Sequence, residues 1–270
     1  MMTAPGSLLP VAVDAVAVAS DLVRTHLPGL LTAKGDRDMA TEVDYAVEHA
    51  VRDFLRDKTP DIAFLGEEEG ATGARNSELW WALDPIDGTA NFIHGLPLCG
   101  ISLGLIHQAR PIVGVIDLPF LDTRYAAAEH TGAYIGDRRI HTRSTSTLRE
   151  AIVATGDYAV GDNSQQRNRL RLALTTRLAE EVQRVRMLGS VATDLAWLAE
   201  GKLDASLTLS NKPWDTAAGV IIAREAGAIV TDTNGTDHTI HSTATIAAAP
   251  GIAKQIAALI ADITAEPQQH

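Results

Sequence analysis

The sequence predicts an α+β fold with an N-terminal antiparallel sheet half and a C-terminal mixed α/β half. Three observations predict it. Two helical patterns come first, short apolar runs separated by turn residues follow from residue 99 to 141, and strands alternate with helices after residue 150. A boundary near residues 144–150 divides the chain into an N-terminal half, 1–146, and a C-terminal half, 147–270, which together form one compact catalytic unit.

Two amphipathic helices precede the first strands. In each of them apolar residues recur at helical spacing. They are Val11, Ala15, Val18 and Leu22 in the first helix, and Val43, Val47, Ala50, Val51, Phe54 and Leu55 in the second. Pro60 comes soon after the second helix. The segments IAFLGEEEG (62–70) and LWWALDPIDG (79–88) then read as two strands, each of which carries acidic residues to its C-terminal end.

Four apolar runs after residue 98 predict an antiparallel meander. They are CGISLGLIH (99–107), IVGVIDL (112–118), RYAAAEH (124–130) and GAYIGDRRIH (132–141), with turn formers between them.

The second half alternates strands with helices. Predicted strands begin at residues 151, 184, 204, 228 and 245, and predicted helices cover about 164–182, 190–201, 214–227 and 251–263. This alternation favours a mixed sheet with helices packed on it.

Composition narrows the class of protein. The 34 acidic and 23 basic residues give a formal charge of −11, which disfavours nucleic acid as a partner. Cys99 is the only cysteine, so an intrachain disulfide is excluded. The apolar N-terminus lacks a basic region and is interrupted by Asp14 and Asp21, and no stretch approaches the length of a membrane span. We therefore expect a cytoplasmic protein without a membrane partner.

Acidic residues at four places are candidates for chemistry: Asp44, the pair Glu67 and Glu68, the pair Asp84 and Asp87, and Asp215. Two of these places have a structural alternative, since a lone aspartate before a helix is often an N-cap and an acidic run is often a solvated turn.

The structural alternative is weakest for Asp84 and Asp87. Both follow an apolar strand, and residues 78–97 contain no lysine or arginine to compensate them, so a cation must come from elsewhere. Hard oxygen ligands without paired histidines or cysteines indicate Mg²⁺ rather than zinc.

Gly88 and Thr89 follow these acids at the predicted start of a short helix. Free amides at a helix N-terminus suit a bound phosphate. Cations beside a phosphate are what metal-assisted phosphate ester hydrolysis requires. The sequence has no Cys–His nucleophile, no G-x-S-x-G elbow and no P-loop, and a glycosidase would not need the further acids.

Four motifs together resemble the inositol monophosphatase family, and they occur in the family's order. DPIDGTANF (84–92) and WDTAAGVIIAREAGA (214–228) resemble its two signatures, while LGEEEG (65–70) and ATEVDYAVE (40–48) resemble its other acidic elements. The resemblance covers nearly the whole chain. It implies a layered α/β/α/β/α sandwich of the sugar-phosphatase type and a Mg²⁺-dependent phosphoric monoester hydrolase.

The resemblance also implies the roles of individual residues. The ligands of two or three Mg²⁺ ions would be Glu67, Asp84, the backbone carbonyl of Ile86, Asp87 and Asp215, with Glu68 beside them. The catalytic residues would be Asp44, Glu67 and Thr89, of which Asp44 and Thr89 orient the attacking water. Substrate contacts would come from Asp87, Gly88, Thr89, Gly189, Ser190, Val191 and Thr208.

The substrate is the least determined part of the prediction. Inositol 1-phosphate is the leading candidate, yet Thr208 stands where inositol-specific members usually carry glutamate. Histidinol phosphate, fructose 1,6-bisphosphate and 3′-phosphoadenosine 5′-phosphate are alternatives within the same chemistry. A regulatory or scaffolding partner of the transcription machinery is an alternative of another class. By resemblance alone we also expect a homodimer and inhibition by lithium.

Other side chains near the motifs have either two alternative interpretations or no assigned role. Lys212 either contacts a charged group of the substrate or is a solvated surface lysine. We assign no catalytic role to His94 or His107, and Glu69 has no explanation in the sequence. The four tryptophans are expected in the core or in the wall of a pocket.

Overall fold

The structure is a computed structural model that describes residues 5–36, 38–73 and 77–265. Within these residues the helices are α1 Pro5–Thr25, α2 Glu42–Lys58, α3 Thr89–Ile93, α4 Ser164–Glu181, α5 Val191–Ala199, α6 Pro213–Glu225 and α7 Ala253–Ala265. The strands are β1 Leu31–Gly35, β2 Asp38–Thr41, β3 Ala63–Gly66, β4 Gly70–Thr72, β5 Leu79–Asp87, β6 Gly100–His107, β7 Arg110–Leu118, β8 Thr123–Ala128, β9 Gly132–Ile135, β10 Arg138–Ile140, β11 Ile152–Thr155, β12 Arg184–Arg186, β13 Ala205–Thr208, β14 Ile229–Thr231 and β15 Thr245–Ala248.

The first sheet has eight strands among the described residues, in the order β10-β9-β8-β7-β6-β5-β3-β4. Strands β5 to β10 pair antiparallel, which confirms the predicted meander. The exception is β3, which runs parallel to β5 with Gly66 opposite Leu83. Because the carboxyl ends of parallel neighbours meet at one edge, this pairing brings the acids after β3 next to those at the end of β5.

The second sheet has the order β12-β11-β13-β15-β14 among the described residues. Its first three strands are parallel, and its last two pair antiparallel, so the predicted mixed sheet is confirmed. Helices α1 and α2 cover the outer face of the first sheet, α5 and α6 lie between the two sheets, and α4 and α7 cover the outer face of the second. The layered α/β/α/β/α arrangement is therefore confirmed.

Helix α6 packs unusually close to the first sheet. A Cβ added to Gly104 on β6 would lie 2.7 Å from the Cβ of Ala217, and one added to Gly114 on β7 would lie 2.5 Å from the carbonyl oxygen of Ala218. Both distances are far below ordinary contact, so glycine is required at both strand positions. The close approach fixes the start of α6, which carries Asp215, above the end of the first sheet.

The buried face of α1 differs from the predicted one. The fully buried residues are Ala12, Ala15, Val16 and Ala19, whereas Val18 is 38% exposed. Alanine and valine occupy almost every side of this helix, so periodicity could not identify the face that packs. The predicted apolar face of α2 agrees better with the structure. Of its residues, Val43, Val47, Val51 and Leu55 are buried.

Helix α1 contradicts the expectation that no stretch of the sequence approaches the length of a membrane span. Among the residues that the structure describes, it is the one helix long and apolar enough to cross a membrane by length and composition, with a mean hydropathy of 1.6. In the structure its alanine and valine stripe packs against α2 and the first sheet, so this helix contributes to the core.

The hairpin of β1 and β2 was not predicted. Its strands pair antiparallel, with Leu31 opposite Thr41. All five residues of β1 are exposed, so the segment lacks the alternating burial by which strands are recognised in a sequence.

Candidate active site

A cleft of about 610 Å³ lies between the two halves of the chain. Its walls include the ends of β3 and β5, the short helix α3, the first turns of α5 and α6, and the loops after β11 and β13. Of the predicted site residues, the lining includes Glu67, Asp84, Ile86, Asp87, Gly88, Thr89, Gly189, Ser190, Val191, Thr208 and Asp215. The remaining two, Asp44 and Glu68, lie directly behind this lining and contact it or its neighbours.

Three carboxylates converge at the base of the cleft. Glu67 follows β3, Asp84 lies on β5 and Asp215 on α6, and one oxygen from each lies within 4.8 Å of the others. Asp215 is not the N-cap of α6: Lys212 occupies that position and Asp215 is the third helical residue. The N-cap alternative for Asp215 was therefore wrong, and its carboxylate is free to face the other two.

Burial and the charges of neighbouring carboxylates raise the pKa values of Asp84 and Asp215. The pKa of Asp84 lies well above its ordinary value because of burial first and then the charge of Glu67 and of Asp87. Burial, followed by the charge of Asp87, likewise raises the pKa of Asp215. Strongly shifted carboxylates that share one cleft are typical of functional sites.

Asp87 is held by the other half of the chain. Its Oδ2 accepts hydrogen bonds from the hydroxyl of Ser190 and from the amide of Ala192, both at 2.6 Å. Burial raises the pKa of Asp87 to about 6, although these hydrogen bonds oppose the shift. Ser190 is the N-cap of α5 and also accepts from the amide of Thr193. The first turn of α5 thus fixes one oxygen of Asp87.

The bend between Asp84 and Asp87 shapes the next part of the cleft. The pairing of β5 with β6 shifts register between these two residues, and Oδ1 of Asp84 accepts from the amide of Ile86 at 3.0 Å. Gly88 then adopts φ +90° as the N-cap of α3. A Cβ there would lie 3.0 Å from the carbonyl of Gly189, so conformation and space both require glycine.

Asp44 and Thr89 form a pair at the back of the cleft. Oγ1 of Thr89 lies 3.4 Å from Oδ1 of Asp44 and donates to the carbonyl of Ile86 at 3.0 Å. Oδ2 of Asp44 accepts from the amide of Thr41 at 2.8 Å in a capping box, so Thr41 is the N-cap and Asp44 the third helical residue. Burial raises the pKa of Asp44.

Lys34 supplies a positive charge to the acids of the cleft, whereas residues 78–97 around Asp84 contain no lysine or arginine. Its Nζ lies 2.9 Å from Oε1 of Glu67 and 2.9 Å from Oε1 of Glu68. The lysine is on β1, in the hairpin that the sequence did not reveal. Its only signal in the sequence is a single lysine that precedes the first acidic element, ATEVDYAVE (40–48), and such a lysine is most often a surface residue.

The GEEEG turn is anchored by Glu48 of α2. Its carboxylate accepts from the amide of Glu68 at 2.8 Å and from that of Glu69 at 3.0 Å, and it pairs with Arg52. The side chain of Glu68 is fully buried, and burial raises its pKa to about 7. The solvated-turn alternative was therefore wrong for Glu68.

Glu69 is the exposed member of the turn. Its carboxylate pairs with His49 at 2.7 Å and with Arg52, so it faces α2 and not the cleft. This contact explains the residue that had no explanation in the sequence: Glu69 helps to hold the turn on α2.

The substrate side of the cleft contains residues that the sequence did not single out. They are Asp157 and Tyr158 after β11, Arg171 on α4 and Asp194 on α5. Arg171 donates to the carbonyls of Asp157 and Leu209 and so ties two wall loops together. A motif search misses these residues because only their position after folding brings them to the cleft.

Lys212 and His94 also line the cleft, whereas His107 does not. The ammonium of Lys212 lies 5.7 Å from the centre of the Trp214 ring, so this lysine packs on the wall of the site. Of the tryptophans, Trp81 is fully buried in the first core. Cys99 is buried too.

The donor set fits a hard divalent cation. The three convergent groups are carboxylates, a backbone carbonyl is adjacent at Ile86, and no histidine or cysteine belongs to the group. Mg²⁺ prefers such oxygen ligands. The raised pKa values of Asp84 and Asp215 fit such a site, because a bound cation would stabilise both groups in the ionised form.

Comparison with known proteins gives a consistent result. The chain is 33% identical over its full length to the inositol-1-monophosphatase ImpA of Mycolicibacterium smegmatis, all of which it covers. It is 36% identical over 73% of its length to a fructose-1,6-bisphosphatase/inositol-1-monophosphatase of Aquifex aeolicus and covers 74% of that protein. It is 34% identical to the Nus factor SuhB of Pasteurella multocida, with 83% of each chain covered.

The fold agrees with the sequence comparison. The structure of an inositol monophosphatase from Anabaena superimposes with a TM-score of 0.84 at 31% identity, covering 95% of this chain and 96% of that one. A sequence model of the inositol monophosphatase family matches residues 5–267. The resemblance seen in the four motifs thus extends over the whole fold, and the chain belongs to the inositol monophosphatase family of phosphatases.

Proposed function

We propose that this protein is a Mg²⁺-dependent phosphomonoesterase that hydrolyses a small polyol phosphate, with inositol 1-phosphate as its principal substrate. One observation carries the proposal: the carboxylate oxygens of Glu67, Asp84 and Asp215 lie within 4.8 Å of one another beside the Asp44–Thr89 pair, in a cleft large enough for a sugar phosphate. The names of the relatives from Mycolicibacterium and Anabaena support it.

The acids at the base of the cleft would hold two or three Mg²⁺ ions. We assign as ligands Glu67, Asp84, the carbonyl oxygen of Ile86, Asp87 and Asp215, while Glu68 positions Lys34 beside them. When bound, Mg²⁺ would neutralise phosphate oxygens and lower the pKa of a water molecule. Asp87 has one oxygen engaged by Ser190 and Ala192, so its other oxygen is the one available for a ligand.

Asp44 and Thr89 would orient the attacking water. Thr41 fixes Oδ2 of Asp44, and this leaves Oδ1 directed at the Thr89 hydroxyl. Thr89 can donate to Asp44 while it accepts from the water, and Asp44 can then take up a proton through Thr89. The raised pKa of Asp44 favours this role, because a general base is most effective when its pKa is close to the working pH.

The phosphate would bind at the start of α3. Gly88 is the N-cap of α3 and Thr89 its first residue, and amides at this end of a helix have no acceptor within the helix and can donate to an anion. The alcohol would lie against Gly189, Ser190, Val191 and Thr208, which form the opposite wall. This arrangement separates the alcohol from the metal ligands.

The test is a comparison of substrates with purified, Mg²⁺-loaded protein. We expect kcat/KM to be highest for inositol 1-phosphate among that ester, histidinol phosphate, fructose 1,6-bisphosphate and 3′-phosphoadenosine 5′-phosphate. A higher value for fructose 1,6-bisphosphate would agree with the name of the Aquifex relative and replace the substrate we propose. No phosphate release from any of the four would contradict the activity itself.

A regulatory role in transcription is the second candidate, because one relative is named as a Nus factor. The charge of −11 argues against direct RNA binding, so such a role would act through a protein partner. Affinity purification at native expression level would test it: a stoichiometric complex with RNA polymerase or its factors would support this role, and recovery of the protein alone would remove it.

Three further properties belong to this proposal and have separate tests. We propose a cytoplasmic location, a homodimer in solution, and inhibition by lithium. Fractionation, light scattering and the inhibition of phosphate release by LiCl, with NaCl as the control, would check them in turn.

A further inference from the structure

Asn91 links the two halves of the chain beside the cleft, and the proposed mechanism gives it no role. It is the third residue of α3, two positions after Thr89. Its Nδ2 donates to the carbonyl oxygen of Leu98 at 2.6 Å and to that of Leu188 at 2.7 Å, and Leu188 is 97 residues away in the chain. One side-chain amide therefore uses both of its protons to hold two separate backbone segments together.

The contact with Leu188 fixes the turn that leads into α5. Gly189 follows Leu188 with φ +74°, a conformation that favours glycine, and a Cβ there would lie 3.1 Å from Nδ2 of Asn91. The next residue, Ser190, is the N-cap of α5. Asn91 therefore contacts the chain immediately before the N-cap, and this contact sets the position at which α5 begins.

The start of α5 in turn orients the carboxylate of Asp87. Its Oδ2 accepts from the hydroxyl of Ser190 and from the amide of Ala192, both at 2.6 Å. A carboxylate that has one oxygen held by two donors also has the direction of its other oxygen fixed. That second oxygen is the one we assign to Mg²⁺, and hydrogen bonds of this kind commonly orient the ligands of a metal ion.

The contact with Leu98 ties the same amide to the first sheet. Leu98 lies just before β6, the strand that pairs with β5 at Asp87. A Cβ on Gly88 would lie 3.1 Å from the carbonyl oxygen of Leu98 and 3.0 Å from that of Gly189. The two segments that Asn91 joins therefore both lie against Gly88, where the phosphate would bind.

We propose that Asn91 is a positioning residue for Mg²⁺ binding: it holds the carbonyls of Leu98 and Leu188 together and so keeps the start of α5 on Asp87. This inference rests on the assignment of Asp87 as a ligand in the proposed function. Without the amide group, the two carbonyls lose their shared donor and the turn before α5 is released. The second oxygen of Asp87 then loses its fixed direction, and Mg²⁺ binds more weakly.

The first test replaces the amide by a carboxylate of the same shape. In Asn91→Asp an anionic oxygen takes the place of the donor, so the hydrogen bonds to Leu98 and Leu188 are lost. We expect the dissociation constant for Mg²⁺, measured by calorimetric titration of the folded protein, to rise about tenfold or more. A negative charge added near the ligands would by itself strengthen cation binding, so an unchanged or lower dissociation constant would overturn the proposal.

Gln255→Glu is the matched control. Nε2 of Gln255 also donates to two backbone carbonyls, those of Ser146 and Gly251, but it lies on α7, which covers the outer face of the second sheet. This variant makes the same exchange of an amide for a carboxylate and should leave the Mg²⁺ dissociation constant unchanged. An equal rise in the two variants would show a general effect of lost stability and would overturn the role of Asn91.

A double-mutant cycle tests whether Asn91 acts through α5. Asn91→Ala removes the amide without adding a charge, and it replaces Asn91→Asp if that variant does not fold. Ser190→Ala removes the hydroxyl that donates to Asp87. The double variant should raise the Mg²⁺ dissociation constant by clearly less than the product of the two single effects, because both substitutions release the same carboxylate.

Two other outcomes of the cycle have separate meanings. Single effects that multiply in the double variant would overturn the route through Ser190 and with it the proposal. An unaltered protein that binds no Mg²⁺ in the titration would instead show that the proposed metal site is wrong, and this inference would fall with it.

Discussion

Oγ1 of Thr89 lies 3.4 Å from Oδ1 of Asp44, although 45 residues separate the two in the chain. The contact exists because α2 begins where β5 ends, and because Thr41 holds the other oxygen of Asp44. Its geometry supports a joint role in positioning the attacking water.

Replacing Thr89 by valine should remove this role without changing the shape of the site. We expect kcat to fall by about a hundredfold or more, since a positioned proton-transfer group contributes about that factor. KM and the stabilisation by Mg²⁺ should change little. Thr89→Ser keeps the hydroxyl and should retain most of the activity, so equal losses in the two variants would contradict the assignment. Steady-state kinetics and thermal melting with and without Mg²⁺ provide the readouts.

Asp87→Asn should abolish turnover and leave the fold intact. Asparagine can keep one hydrogen bond to α5, but it lacks the charge that a cation needs. For the unaltered protein, Mg²⁺ at 100 times its dissociation constant should add about 2.7 kcal/mol to the free energy of unfolding. Most of this gain should be lost in the variant.

Calorimetric melting in Mg²⁺ and in EDTA measures this difference. Asp122, an exposed aspartate in the connection between β7 and β8, provides a control as Asp122→Asn, which should keep the full response to Mg²⁺. Normal turnover in Asp87→Asn would contradict the assignment of Asp87 as a ligand of Mg²⁺.

Gly66→Ala should disturb the GEEEG turn. A Cβ at Gly66 would overlap the carboxylate of Glu48, which holds the amides of Glu68 and Glu69. We expect a loss of about 1–3 kcal/mol in the free energy of unfolding, together with weaker Mg²⁺ binding because Glu67 moves with the turn. Gly6→Ala is the same substitution in a helix with nothing closer than 3.9 Å, so it should not destabilise. Denaturant unfolding compares the two.

His238 should make the protein less stable in acid. Burial, and secondarily the charge of Arg224, lowers its pKa from 6.5 to about 4. Above pH 6.5 the imidazole is neutral in both states and contributes nothing. Between pH 6.5 and 4 the unfolded chain binds a proton that the folded one does not, so stability falls as the pH falls. The full loss, below pH 4, amounts to about 3 kcal/mol.

The variant His238→Gln can still pair with Thr245, the hydrogen-bond partner of His238 at 3.0 Å. Its unfolding free energy, measured by denaturant at pH 7, 6, 5 and 4, should decline less steeply than that of the unaltered protein. His241→Gln, at an exposed position in the same loop, should not alter the slope. Identical slopes for His238→Gln and the unaltered protein would contradict the role of His238.

The metal-ligand candidates could be predicted because their signals are local. Asp84 and Asp87 end an apolar strand and are followed by Gly88 and Thr89, so adjacent residues carry the pattern. Lys34 could not be predicted, because it reaches the acids from an exposed hairpin without alternating burial.

The sequence by itself determined the order of the strands and helices apart from the β1–β2 hairpin, together with the family and the four acidic elements. Periodicity, turn residues and motif spacing carry this information because they are properties of neighbouring positions. Only the tertiary structure decided how those elements meet. The parallel pairing of β3 with β5 brings Glu67 to Asp84, and the close packing of α6 on β6 and β7 adds Asp215. These relationships depend on long-range packing, which no local stretch of sequence encodes.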